Sequence, residues 1–169
     1  VADNLMVHKS LDLAKPGDIL VIDAEGDIEH AILGEIMVRE AIACNLAGII
    51  IDGAIRDSEE IAELDFPVYA RGITPRGPFK DGPGEINTTI SCGGVVVRPG
   101  DIIVGDSDGV VVVPPRYAEE LIRKTEEKLE NEQKAIKNII DSKLSRDKSW
   151  ADKILAEKGC EIIQGREEI

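Results

Sequence analysis

The chain has 169 residues, 43% of them hydrophobic and 31% charged, enough for one globular domain with a real core. Its net charge of −13 argues against non-specific nucleic-acid binding, which needs clustered Lys and Arg, and no run approaches the roughly 18 apolar residues of a membrane-spanning helix. The three scattered cysteines, Cys44, Cys92 and Cys160, exclude a disulfide scaffold and point to a reducing cytoplasm, while two histidines, His8 and His30, are too few for a His-rich metal site.

No signal peptide or lipid-anchor motif is read in the chain. It opens with Val1-Ala2-Asp3-Asn4, without an initiator Met, a cap or an arm. This reads as a fragment that begins inside a domain, or as a processed chain. Lys15-Pro16-Gly17-Asp18 is a turn, and Ile19-Leu20-Val21-Ile22 is a buried strand. Gly26-Asp27 breaks it. From Gly34 to Asn45 the spacing becomes helical, with Ile36, Met37, Ala41, Ala43 and Cys44 inward and Arg39 and Glu40 outward. Gly48 follows as a helix stop. Ile49-Ile50-Ile51 is the next strand, ended by Gly53. Ser58 to Leu64 is a short helix capped by Asp57 or Ser58, and Phe66 to Ala70 is a further strand. This alternation predicts parallel strands with covering helices.

Residues 71–94 are rich in Gly, Pro and Thr and read as a long loop with short strands. Val95-Val96-Val97, Ile102-Ile103-Val104 and Gly109 to Pro114 are strands joined by Pro-Gly-Asp and Gly-Asp turns, which predicts a compact β barrel or sandwich portion. Residues 116–143 form a long amphipathic helix with Leu121, Ile122, Thr125, Leu129, Ile136, Ile139 and Ile140 as its stripe. Glu132 falls on that stripe, where a carboxylate must reach water, a partner or a metal. The domain thus spans residues 1–143. Residues 144–169 read as a polar tail or subunit-contact extension, with Trp150 as anchor and a final strand at Cys160 to Ile163.

Two motifs carry chemistry. Arg56-Asp57 follows a strand, where ligands bind in open α/β sheets. Taken alone it reads first as a strand-end ion pair and a cap for the helix at residue 58. Gly34-Glu35-Ile36-Met37 opens a helix whose free N–H groups can hold an anion, though alone it is an ordinary helix start. Twenty residues separate Glu35 from Arg56. Together the two can grip a small carboxylate, with Gly34, Ile36 and Met37 supplying close backbone, Arg56 a cation, and Glu35 and Asp57 the acids. Such a site suits a hard divalent cation, Mg²⁺ or Mn²⁺. Arg71 and Arg76 are possible substrate-charge contacts, with loop-structural roles favoured. Cys44 and Cys92 read as core thiols.

These strings, with Pro67 to Gly72, Gly93-Gly94-Val95 and Gly105 to Pro114, resemble the family of 4-hydroxy-4-methyl-2-oxoglutarate aldolases and the related regulator of ribonuclease E activity, A-type. The resemblance covers about residues 3–140. It implies an α/β swivelling β/β/α domain with parallel βαβ units, assembled as a homotrimer or a dimer of trimers. It implies divalent-metal-dependent cleavage of 2-oxo acids to pyruvate through a metal-stabilised enolate, with oxaloacetate decarboxylation as a second activity. Its acid, twenty residues, Arg, Asp pattern maps onto Glu35, Arg56 and Asp57, with Glu where the family has Asp. Its pyruvate cradle maps onto Gly34 to Met37. An acid from a neighbouring subunit's long helix maps onto Glu132, with Glu130 and Glu127 as rivals. A non-catalytic protein-binding regulator on the same fold is the competing reading. The regulator branch typically lacks the acid after the arginine, and Asp57 is present here. A methyltransferase reading finds no glycine-rich adenosylmethionine loop.

Overall fold

Gly48–Ile55 is buried along its whole length, which makes it the spine of the unit that holds it. The computed structural model describes residues 2–142 and 148–161, and the chain divides into two compact units, Val1–Arg116 and Tyr117–Ile169.

The first unit is built in chain order from α1 (Leu5–Leu13), β1 (Ile19–Asp23), β2 (Ala31–Leu33), α2 (Glu35–Ala43), β3 (Gly48–Ile55), α3 (Ser58–Ala62) and β4 (Val68–Ile73). The hairpin strands β5 (Ile90–Cys92), β6 (Val95–Val97), β7 (Ile102–Asp106) and β8 (Gly109–Val113) follow. β3 pairs in parallel with β4 along one edge. Along its other edge it pairs first with β1 and then with β2. All four strands therefore end at the same pole. Ile22, Ile49 and Ile51 project from the sheet into the core formed with Val7 and Leu11 of α1 and Met37, Val38 and Ala41 of α2.

The parallel βαβ reading holds, and the structure adds what the pattern left out. α1 was not expected. Asp3 Oδ1 accepts the Leu5 N–H at 2.9 Å in a turn ahead of the helix, while the N-cap residue, Asn4, makes no side-chain cap bond, as the opening sequence suggests. β2 was also not expected, because three residues are too short to show a period. Gly53 does not end β3. A Cβ there would lie 2.7 Å from the Ala24 methyl carbon and 3.1 Å from the Asp27 carbonyl oxygen. Glycine instead lets the loop after β1 press into the strand, where the register shifts and Ala54 N–H donates to Asp27 O. Ile36, assigned to the inward stripe of α2, is 70% exposed, and the buried face is Met37, Val38 and Ala41.

The expected barrel or sandwich portion is two antiparallel hairpins, β5–β6 and β7–β8, each a separate two-stranded sheet. With the opposite face of the main sheet they line a cavity of about 450 Å³, with Val21, Ile50 and Tyr69 across from Val97, Ile103 and Val112. Each hairpin has one polar tie to the sheet. Tyr69 O–H donates to Asp106 O at 3.0 Å, and its ring needs Gly105, where a Cβ would lie 2.8 Å from the phenolic oxygen. Gly93 N–H donates to Asp52 Oδ2 at 2.7 Å, while Asp52 Oδ1 accepts from Arg71 Nε. Arg71, one of the candidate substrate contacts, is thus engaged within the fold.

The second unit holds α4 (Ala118–Ser142) and α5 (Ser149–Glu157). Leu121, Ile122, Leu129, Ile136, Ile139 and Ile140 of α4 are exposed, as is Trp150 of α5. Cys160 and Glu161 carry no regular structure, and the rest of the expected final strand lies outside the described residues.

Asp52 is only 7% exposed. Burial pushes its carboxyl up, but the hydrogen bond from Arg71, the Gly93 N–H and the Arg71 charge outweigh it and hold the group below the ordinary carboxylate value. Its folded pKa is therefore below its unfolded one. The stabilisation is complete above the unfolded value, about 3.9, and is lost as pH falls through the folded value. Asp52→Asn should lower stability by about 1.5–3 kcal/mol at neutral pH, the scale of hydrogen bonds to a charged group. Urea denaturation should show the gap from wild type narrowing at acid pH. A gap constant across the pH range would mean that the charge of Asp52 is not what holds the hairpin.

Candidate functional site

The pole where the parallel strands end collects the chemistry. β2 feeds directly into α2 through Gly34, and β3 feeds through Arg56 and Asp57 into α3. β4 feeds into Thr74-Pro75-Arg76-Gly77, which folds back across this pole. Thr74 N–H donates to Ile55 O at 2.9 Å, and Ala31 N–H donates to Arg76 O at 2.8 Å. The β2–α2 corner is braced from below by Asn4, whose side-chain amide donates to Ile32 O at 2.9 Å.

Asp57 has left-handed backbone, φ 56° and ψ 41°, a conformation Asp tolerates better than most residues. Its side chain makes no cap bond to its own helix, α3. It crosses to α2 instead, where Asp57 Oδ2 accepts the Glu35 N–H at 3.0 Å. That is a carboxylate at a helix N-terminus, a favourable placement for negative charge. Arg56 Nε lies 3.6 Å from the same oxygen. Both side chains remain partly exposed, 44% for Arg56 and 40% for Asp57. The ion pair is present, but the cap serves the neighbouring helix.

Gly34 makes this approach possible. A Cβ on it would strike Asp57 Oδ2 and come within 2.8 Å of Arg56 Cγ and 3.0 Å of Arg56 Nε. The first intrahelical bond runs from Val38 N–H to Gly34 O at 3.2 Å. The N–H groups of Ile36 and Met37 therefore have no acceptor within the helix, as at any helix start. Glu35 Oε1 accepts from Arg39 Nε at 2.7 Å, an i, i+4 pair along the helix. Gly77 completes the far side, since a Cβ there would lie 3.1 Å from Arg56 Nη1.

Gly34, Glu35, Ile36, Met37, Arg56 and Asp57 thus come together as one patch. Glu132 lies in the second unit, exposed, with Lys128 Nζ 3.7 Å from its Oε1. Sequence reasoning missed Asn4 and Gly77. Asn4 lies in an opening that reads as having no cap or arm, and the Thr-Pro-Arg-Gly turn carried the only hint of a return across the strand ends.

Among the described residues no group of three or more His, Cys, Asp or Glu side chains converges as a metal cage. The Asp57 carboxylate, with Oδ2 on the Glu35 N–H, fits a hard cation held by one or two carboxylates that keeps several of its waters, the usual manner of Mg²⁺.

A parallel α/β sheet with an arginine–aspartate pair set against a glycine-opened helix start is the kind of arrangement at which open α/β sheets bind small anions. The chain belongs to the RraA-like family (Aldolase/RraA), whose profile matches residues 1–112. It is 44% identical over 140 residues to a Halalkalibacterium halodurans protein named "Putative 4-hydroxy-4-methyl-2-oxoglutarate aldolase", across 83% of this chain and 67% of that one. Among solved structures it resembles a Geobacillus kaustophilus protein described as an S-adenosylmethionine:2-dimethylmenaquinone methyltransferase. The identity there is 39% and the TM-score 0.64, over 66% of this chain and 70% of that one. It also resembles Streptomyces coelicolor RraAS2, described as an unusual member of the RNase ES inhibitor RraA family. Here the identity is 32% and the TM-score 0.71, over 79% of this chain and 68% of that one.

Gly34→Ala tests the site's construction. The added methyl should displace Asp57 from the Glu35 N–H and cost about 1–3 kcal/mol, the scale of a lost charge-assisted bond. Denaturation together with the amide shift of Glu35 would report it. Wild-type stability with an unmoved Glu35 amide would show that the close approach is not needed.

Proposed function

We propose that this chain is a carbon–carbon lyase that releases pyruvate from 4-hydroxy-2-oxo acids of the 4-hydroxy-4-methyl-2-oxoglutarate type, with oxaloacetate decarboxylation as a second activity. The observation that carries this reading is the seat of Arg56 and Asp57 against the start of α2, opened by Gly34. The name of the 44% identical relative supports it.

In this reading the Ile36 and Met37 N–H groups donate to the substrate's C1 carboxylate. The bond between C3 and C4 breaks as the C4 hydroxyl loses its proton. Its electron pair moves toward C2 and negative charge gathers on the keto oxygen. The Arg56 guanidinium donates to that oxygen and stabilises the charge. Glu35 orients the water that carries the proton from the hydroxyl and returns one to C3. Asp57 would hold Mg²⁺ or Mn²⁺, joined by Glu132 from a neighbouring copy in a homotrimer or hexamer. Bound there, the ion would supply a Lewis acid for the keto oxygen. The 32% identical RNase ES inhibitor relative favours one second reading, a protein-binding regulator without catalysis.

Pyruvate release from oxaloacetate and from 4-hydroxy-4-methyl-2-oxoglutarate, with Mg²⁺ and with EDTA, separates the two readings. The lyase reading expects turnover that EDTA abolishes and that Asp57→Ala cannot support. Arg56→Lys should lose about 10²–10³-fold in kcat, because a point charge does not replace the guanidinium fork. A loss confined to KM would make Arg56 a binding group only. No turnover with any divalent ion would favour the regulator.

The shared site has its own test. Glu132→Ala and Asp57→Ala protomers, each inactive alone, should regain activity when mixed and reassembled. Subunit exchange without recovery would remove Glu132 from the site. A fully active Glu132→Ala protein would turn attention to Glu130 or Glu127.

A further inference from the structure

Resting on the lyase reading, the geometry around Arg56 points to Arg76 as the residue that selects substrates with a second carboxylate. Arg76 is held by its backbone at the pole of the site. Its carbonyl accepts the Ala31 N–H at 2.8 Å, two residues earlier Thr74 N–H is tied to Ile55 O, and its neighbour Gly77 packs against Arg56 Nη1. Its side chain is held far more loosely. The side chain is 63% exposed, and its ion-pair partner is Glu29 Oε2 at 3.8 Å, on a side chain 75% exposed. Such a pair contributes little and releases its cation readily.

The charge count explains why this cation matters. The chain carries −13, and the patch itself contains Glu35 and Asp57. A dicarboxylate approaching it meets net repulsion unless cations face both of its ends. Arg39 is engaged by Glu35 at 2.7 Å, and Arg56 is committed to the reacting oxygen. Arg76, on the turn that packs over Arg56, is the remaining arginine described at this pole. 4-Hydroxy-4-methyl-2-oxoglutarate carries on C4 the distal carboxylate it would take, whereas the second carboxylate of oxaloacetate is the group that leaves as CO₂. Exchanging the Glu29 partner for that carboxylate requires only a swing of an exposed side chain about a fixed backbone. Arg76 is therefore a specificity residue and plays no part in breaking the bond.

The test is the ratio of kcat/KM for 4-hydroxy-4-methyl-2-oxoglutarate to that for 4-hydroxy-2-oxopentanoate, which has the same reacting end and no second carboxylate. Arg76→Gln should lower this ratio about 10–100-fold, the effect of one charged hydrogen-bonding partner. Arg76→Lys should restore part of it. Circular dichroism would confirm that the exposed variants fold. An unchanged ratio overturns the proposal, whether overall activity falls or not, because a structural role would depress both substrates together. A wild-type protein that cleaves neither substrate sinks the lyase reading, and the proposal with it.

Discussion

The hydrogen bond from Glu35 N–H to the Asp57 carboxylate ties the ends of two parallel strands together, and the site exists because of it. It joins the first turn of the helix after β2 to the turn after β3. It satisfies one of the N–H groups that every helix start leaves open, and it places a negative charge where the helix dipole favours one. Arg56 packs over Gly34 at the same helix start. Three conditions sit beneath it. Gly34 must lack a side chain, Asp57 must take left-handed backbone, and β3 must run on through Gly53 to reach the pole.

The same central strand organises the molecule's other face. Asp52, five residues before Asp57, is buried on β3 and collects Arg71 from β4 and Gly93 from the hairpin turn. A buried carboxylate is costly unless paired and hydrogen-bonded, and here it is both. One strand therefore carries two acids with opposite assignments. Asp52 is enclosed and fully engaged within the fold. Asp57 is partly exposed and keeps capacity for a ligand. The two arginines divide in the same way, Arg71 serving the fold and Arg56 the pole.

Much of this was legible in the sequence because it follows from local rules. The β-branched runs of β1 and β3, the helical spacing after Gly34 and the Pro-Gly-Asp turns each mark their element. The ordered Gly-Glu-Ile-Met and Arg-Asp strings locate the patch. What escaped depends on long-range packing. Gly53 looks like a terminator, yet it admits the loop after β1 into a continuing strand. Ile36 fits the helical stripe but faces out, because the helix turns Met37, Val38 and Ala41 toward the sheet. Asn4 sits in an opening with no legible signal, yet its amide reaches across to Ile32 O on β2. The partner of Asp57 could not be read at all, since only the strand register brings residue 57 to the amide of residue 35.

In the lyase reading the first turn of α2 receives the carboxylate of a small 2-oxo acid and Arg56 faces its keto oxygen. Amide-resolved NMR of the protein titrated with pyruvate and Mg²⁺ tests it most directly. The lyase reading predicts saturable shifts centred on the Glu35, Ile36 and Met37 amides and on Arg56 and Asp57, with the Gly93 amide beside Asp52 left in place. Saturable binding that moves the cavity-lining residues of the hairpins and leaves the α2 start unperturbed would contradict it.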